Sequence, residues 1–146
     1  VEHVVIDCPP TLGVLMINGL ASAHRVIVPV QTEYLALRGL NQMMQTLGMV
    51  ERSRGRSLDY MIVPTMFDRR TRAGVESLKN IRSVYGDRVW SKFIPVDTQF
   101  RDASQQGKPL PQTYPKSRGA RAFELLLESL LQAEKLVASA RAEQAA

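Results

Sequence analysis

The sequence predicts an α/β domain with a mainly parallel sheet flanked by helices, and three observations carry that expectation. Short apolar runs of strand length recur at residues 4–6, 26–30, 58–63 and 89–94. Between them lie stretches whose apolar side chains repeat every three or four residues, the period of a helix. Parallel neighbours must be joined by crossovers of about a dozen residues or more, and these stretches supply them. Ligands in such sheets bind at the carboxyl ends of the strands, and Asp7, Thr65 and Asp97 each fall just after a strand run.

Taken in order, Val4, Val5 and Ile6 suit a buried strand that Pro9 and Pro10 end just after Asp7. Thr11 is placed to cap a helix reaching about Ala23, with Leu12, Leu15, Met16 and Leu20 inward. Residues 26–30 read as a second buried strand, stopped near Pro29. Ala36, Leu40, Met43, Leu47 and Val50 line one face of a long helix that the polar stretch RSRGRS terminates. Residues 58–63 make a third strand, from which Pro64 and Thr65 lead into the loop MFDRRTR. Val75, Leu78, Ile81 and Tyr85 mark the next helix, and Gly86 is placed to close it in the left-handed conformation. Residues 89–94 form a fourth, shorter strand. The stretch 95–118, with Pro95, Pro109, Pro111 and Pro115, reads as an extended ordered loop with a short turn near residues 100–105. A final helix buries Phe123, Leu126, Leu127, Leu130, Leu131 and Val137, and its alanine-rich end from Ala138 is expected to fray.

With 146 residues, one domain is the expectation. No apolar run approaches the roughly 18 residues that a membrane-spanning helix needs. The first residues carry no basic region or small-residue cleavage site of a secretory signal, so the expected compartment is the cytoplasm. Cys8 is the only cysteine, which excludes an internal disulfide and leaves no zinc or iron–sulfur spacing. The charge is unevenly spread. Residues 52–88 hold eight arginines and one lysine against Asp59, Asp68, Glu76 and Asp87, so the whole net charge of +5 sits there. Such a surface either attracts a polyanion with strong salt dependence or is a solvated basic face.

The string VVIDCPPTLGVLMINGL resembles the switch II region of ParA/Soj-type partitioning ATPases, a deviant Walker group that includes MinD relatives. The resemblance continues in family order through PVQTEYLALRGLNQM, TMFDRRTR, IPVDTQFRDASQQGKPL and YPKSRGARAF, and so covers nearly all of residues 1–131. It implies the C-terminal portion of a P-loop NTPase fold, Rossmann-like and three-layered, with ATP and Mg2+ as cofactors of the intact protein. It also implies non-specific DNA, a ParB-like activator and an ATP-dependent homodimer as partners, a nucleoid-associated cytoplasmic location, and no membrane. Nothing in the chain resembles the KGGxGKT phosphate loop, so the chain by itself is expected to hydrolyse no ATP.

By the resemblance Asp7 ends the Walker B-like strand and acts as catalytic and metal residue, holding Mg2+ through water, a role suited to a hard oxygen ligand. Thr65, Met66 and Asp68 correspond to one side of the adenine, and Pro95, Val96 and Asp97 to the other. DNA contact in the family is attributed to basic surface residues. Val96 and Gln99 stand where arginines are common, which leaves Arg101 nearby and, as better candidates, Arg69, Arg70, Arg72 and Arg82. Lys108, Lys116 and Arg118 match common family positions and suit orientation of the long loop and last helix. Two alternatives are a MinD-like positioning ATPase and a non-catalytic receiver-like module. The first needs a membrane-binding helix, whereas this chain ends in ASARAEQAA; the second needs an acidic pair that the sequence lacks.

Overall fold

Two parallel strands, β1 (Arg25–Gln31) and β2 (Asp59–Thr65), pair along their whole length from Arg25 opposite Asp59 to Gln31 opposite Thr65. In this computed structural model, which describes residues 3–8 and 13–144, the order of the remaining elements follows the expected alternation. Helix α1 (Val14–Ser22) precedes β1, α2 (Tyr34–Arg54) crosses from β1 to β2, and α3 (Arg72–Tyr85) follows β2. A 3-10 turn at Gly86–Arg88 leads to α4 (Gln99–Gln105), α5 (Leu110–Thr113) and α6 (Arg118–Gln144).

Alternation along β2 sends neighbouring side chains to opposite faces, which is why three layers form. Ile62 joins Val28 and Val30 of β1 in a core with Met16 and Leu20 of α1, Leu40, Leu47 and Val50 of α2, and Ile81 of α3. Val63 faces the other way, into a core with Trp90, Ile94 and α6 residues Ala122 and Leu126. A third, smaller cluster of Ala103, Leu110 and Ala120 seats α4 and α5 against the start of α6. Helix α2 ends where RSRGRS predicts, because Gly55 takes the left-handed conformation (φ 66°, ψ 15°) that a side chain disfavours. Gly86 also has positive φ, at 51°, but with ψ −125° it opens the 3-10 turn rather than forming a left-handed cap.

Several sequence expectations need correction. Residues 4–6 form no strand, and Val5 is 94% exposed. A strand needs a ladder partner, and among the described residues β1 pairs with β2 alone. Residues 6–8 instead lie against α1, where a β-carbon on Gly19 would stand 2.9 Å from the Cys8 sulfur. Thr11 and Leu12, read as cap and first apolar contact of α1, lie outside the described residues, and Leu15 points outward. The expected fourth strand shrinks to two isolated bridges, Val89 with Ile62 and Pro95 with Phe67. The Trp90 N–H donates to the Ile62 carbonyl (2.9 Å) and the Ile94 N–H to the Pro64 carbonyl (2.9 Å). Four residues on one side thus answer two on the other, so residues 91–93 bow out of the ladder. Pro29 does not stop β1, since proline is tolerated in a strand with an unpaired edge. The stretch 95–118 holds two short helices rather than one turn. On α6 the buried side is Ala122 and Leu126, while Phe123, Leu127 and Leu131 are exposed; the backbone stays helical to Gln144, past Ala138, and the Val137 side chain lies outside the described residues.

Arg54 and Arg88 of the basic region, with Arg25 from outside it, brace the fold. Arg54 donates to the carbonyls of Leu20 and Ala23 at the end of α1 (3.3 and 3.2 Å). At the start of the strands Arg25 binds Asp59 (2.6 Å), Arg88 reaches the same carboxylate (3.4 Å), and Arg88 lies over the Tyr60 ring. The local positive excess is therefore partly structural, and this end of the sheet is opposite the expected site.

Candidate functional site

At the carboxyl end of the sheet the chain leaves β2 and immediately pairs with a second loop. The Phe67 N–H donates to the Ile94 carbonyl and the Val96 N–H donates to the Phe67 carbonyl, both at 3.1 Å. The Phe67 ring is buried and packs on Phe93 with centroids 4.4 Å apart, which anchors the pair. The structure thereby brings Thr65 and Met66 beside Pro95 and Val96, the two loops that the family resemblance implies flank one base. Met66 is 54% exposed and, alone among the non-glycine residues described, has positive φ, at 51°. A left-handed non-glycine residue costs of order 1–3 kcal/mol, and such strain concentrates at binding sites and switches. Thr65 holds the other flank, its carbonyl accepting from the Thr32 N–H (3.2 Å).

Asp68, one residue beyond Phe67, pairs with Arg70. Its carboxylate accepts from the Arg70 guanidinium (Nη2 at 2.7 Å, Nε at 3.0 Å) and from the Arg70 backbone N–H (3.0 Å). Those bonds from Arg70, aided by its charge and that of Arg118 against a smaller desolvation effect, lower the Asp68 pKa to about 2. The folded value lies below the ordinary 3.8, so the pairing supports the fold above about pH 4 and is lost as the pH falls toward 2. Carboxyl-carbon NMR is expected to give an Asp68 midpoint near 2 in the native chain and a return toward 3.8 in Arg70→Ala. A midpoint that the substitution leaves in place would show that other groups set it.

The same loop starts α3 with a cap that sequence reading missed. The Thr71 hydroxyl accepts from the Gly74 N–H (3.2 Å) and donates to the Asp68 carbonyl (3.0 Å). The signal was present, a threonine just before an apolar helical stripe. A β-carbon on Gly74 would lie 2.7 Å from that hydroxyl, so glycine is required there for the cap to close.

Asp97 faces two helix starts. One carboxylate oxygen accepts from the Gln99 N–H (3.1 Å) and the other from the Gly119 N–H (2.9 Å). Each carboxylate oxygen thus accepts one amide N–H, which fixes the side chain beside the loop. Arg118 approaches the same place and donates to the Val96 carbonyl (3.4 Å). The DNA-contact candidates differ in availability. Arg70 is held by Asp68, Arg72 pairs with Glu76 (2.6 Å), and Arg82 donates to the Ser91 carbonyl (2.8 Å). Arg69 and Arg101 are exposed, and their guanidinium groups have no hydrogen-bond partner among the described residues. Exposed ion pairs such as Arg72 with Glu76 are weak and yield easily to a phosphate.

Asp7 is exposed and bonded to no side chain among the described residues, and residues 9–12 that follow it lie outside them. Among the described residues no group of three or more His, Cys, Asp or Glu side chains gathers around a metal position. A groove between β1 and α2, lined by Pro29, Gln31, Ala36 and Met43, lies on the sheet edge that is unpaired among the described residues and not among these site residues.

A family model described as AAA domain matches residues 2–60. The chain is 37% identical over 125 residues to the sporulation initiation inhibitor protein Soj of Bacillus subtilis, a match covering 84% of this chain and 49% of that protein. It is 36% identical over 134 residues to the chromosome partitioning protein ParA of Caulobacter vibrioides, covering 91% of this chain and 50% of that protein. Among solved structures, cobyrinic acid a,c-diamide synthase from Mycobacterium smegmatis with bound ADP and magnesium aligns with a TM-score of 0.69 at 35% identity, over 88% of this chain and 46% of that one. The chain spans about half the length of the curated relatives it matches.

Proposed function

Because the chain belongs to the ParA/Soj-type family of partitioning ATPases, we propose that it forms the switch and base-side part of an ATP–Mg2+ site. The observation that carries this reading is the hydrogen-bonded pairing of the β2 exit with residues 94–96. A purine needs apolar contact on its faces and a few polar groups at its edge. Met66, Pro95 and Val96 are the apolar side chains available there, and the backbone of the two loops supplies the polar groups. Asp7 would hold the hydration shell of Mg2+, which when bound would neutralise charge on the phosphates of ATP. The solved neighbour that contains ADP and magnesium supports the same ligand class.

For the whole protein, the proposal is ATP-dependent dimerisation on non-specific DNA, with hydrolysis stimulated by a ParB-like partner, to partition a plasmid or chromosome. Arg69 and Arg101 are the first candidates for phosphate contact, with Arg70, Arg72 and Arg82 available on release of their present partners. The test is anisotropy of a labelled duplex of arbitrary sequence, titrated with the full chain across a range of salt. Binding is expected to weaken linearly on a log–log plot, and Arg69→Ala and Arg101→Ala are each expected to reduce the slope by about 1. No binding at low salt, or slopes that neither substitution moves, would remove DNA from the reading.

A further inference from the structure

We propose that Asp97 is a positioning residue that makes the base-side loop and α6 move as one body, so that a purine nucleotide resting on Met66 and Val96 is felt at the start of the last helix. The inference rests on the nucleotide-site reading above and adds to it a regulation of that site. Its basis is a continuous run of bonds. Met66 is joined through Phe67 to Ile94 and Val96 by two backbone hydrogen bonds. Asp97 is the next residue, and its carboxylate divides between the Gln99 N–H of α4 and the Gly119 N–H of α6. Arg118 adds a second tie, from the first residue of α6 back to the Val96 carbonyl.

A carboxylate that merely capped α4 would need only its bond to Gln99. The bond to Gly119 spans 22 residues and belongs to a different helix. Packing makes that joint stiff. A β-carbon on Gly119 would meet Phe100 at 2.6 Å and Leu110 at 2.9 Å, so α6 has no slack against the elements beneath it. Stiff, closely packed interfaces transmit displacement because they have few intermediate arrangements. The far end of the body is also tied, since the Trp90 indole N–H donates to the Ser129 hydroxyl of α6 at 3.1 Å. Coupling of this kind is a free energy shared between two places, so it is measurable in both directions.

Amide hydrogen exchange on the full chain tests it, with Asp97→Ala, Asp97→Asn and millimolar ADP–Mg2+ as the probe. Without nucleotide, Asp97→Ala is expected to speed exchange at Gly119 and Gln99 on the order of tenfold, the effect of losing a charge-assisted bond. Asp97→Asn keeps one acceptor and is expected to restore one of the two, while Ile62 exchange stays at the native rate in both. ADP is expected to slow exchange at Met66, Phe67 and Gly119 in the native chain, and at Met66 and Phe67 alone in Asp97→Ala. Native Gly119 exchange in nucleotide-free Asp97→Ala overturns the brace, and ADP protection of Gly119 that survives the substitution overturns the coupling. If ADP slows exchange nowhere in the native chain, the nucleotide-site reading fails and takes the coupling with it, while the nucleotide-free arm still decides the brace.

Discussion

Ile62→Ala is expected to lower the unfolding free energy by about 2–5 kcal/mol, the largest single effect that the fold predicts. Ile62 has no exposed surface, and it packs among side chains from both strands and from α1, α2 and α3. Its carbonyl also accepts the Trp90 N–H (2.9 Å), so β2 on one side of the residue and residues 89–90 on the other limit how far the cavity can collapse. Set against a total of about 5–15 kcal/mol for a typical domain, that loss is a large fraction. Urea unfolding followed by the fluorescence of Trp90, the only tryptophan, measures it directly. Ile27→Ala is the control: the same chemistry at a side chain that is 41% exposed on β1 is expected to cost less than half as much. Equal effects at the two positions would mean that the layered core described here is wrong.

The contrast between those two isoleucines also marks the limit of sequence reading. Elements whose apolar period is satisfied by near neighbours were legible. Residues 26–30 pair with residues 60–64, and the stripe from Ala36 to Val50 packs on the two strands it connects. An apolar run specifies burial, however, and not a hydrogen-bond partner. Residues 4–6 have the composition of a strand and no ladder to join among the described residues. Residues 89–94 have partners at both ends but a count that does not match β2, which only the register reveals.

The candidate site divides in the same way. That Thr65, Met66 and Pro95 would gather at one sheet edge follows from strand polarity, which the sequence carries. That Asp97 would spend its carboxylate on Gln99 and Gly119 does not, because Gly119 lies 22 residues away and its approach depends on how α4 packs. The charge excess of residues 52–88 is only partly legible for a related reason. Net charge counts arginines without showing that Arg54, Arg82 and Arg88 are already bonded within the fold.

Gly119→Ala is the second substitution with a large expected effect, and two opposing terms decide its sign. Near the start of α6, alanine's greater helix propensity would favour the variant by up to about 1 kcal/mol. Against it, the added carbon would stand 2.6 Å from Cε2 and 2.8 Å from Cζ of Phe100 and 2.9 Å from the Leu110 side chain. Neither neighbour is free to yield. Phe100 packs between two of the hydrophobic clusters and edge-on to Phe123, and Leu110 is buried with Ala103 and Ala120. Overpacking of this kind typically costs about 1–3 kcal/mol, so the steric term wins and the variant is expected to be less stable. The displaced helix start would also lengthen the 2.9 Å bond from Gly119 to Asp97, and with it loosen residues 94–97 of the base-side loop. Urea midpoints and backbone amide shifts at Val96 and Gln99 report the two consequences separately. A stabilised variant with unshifted amides would mean that α6 has room at this point, and that the joint between the last helix and the site is looser than its geometry states.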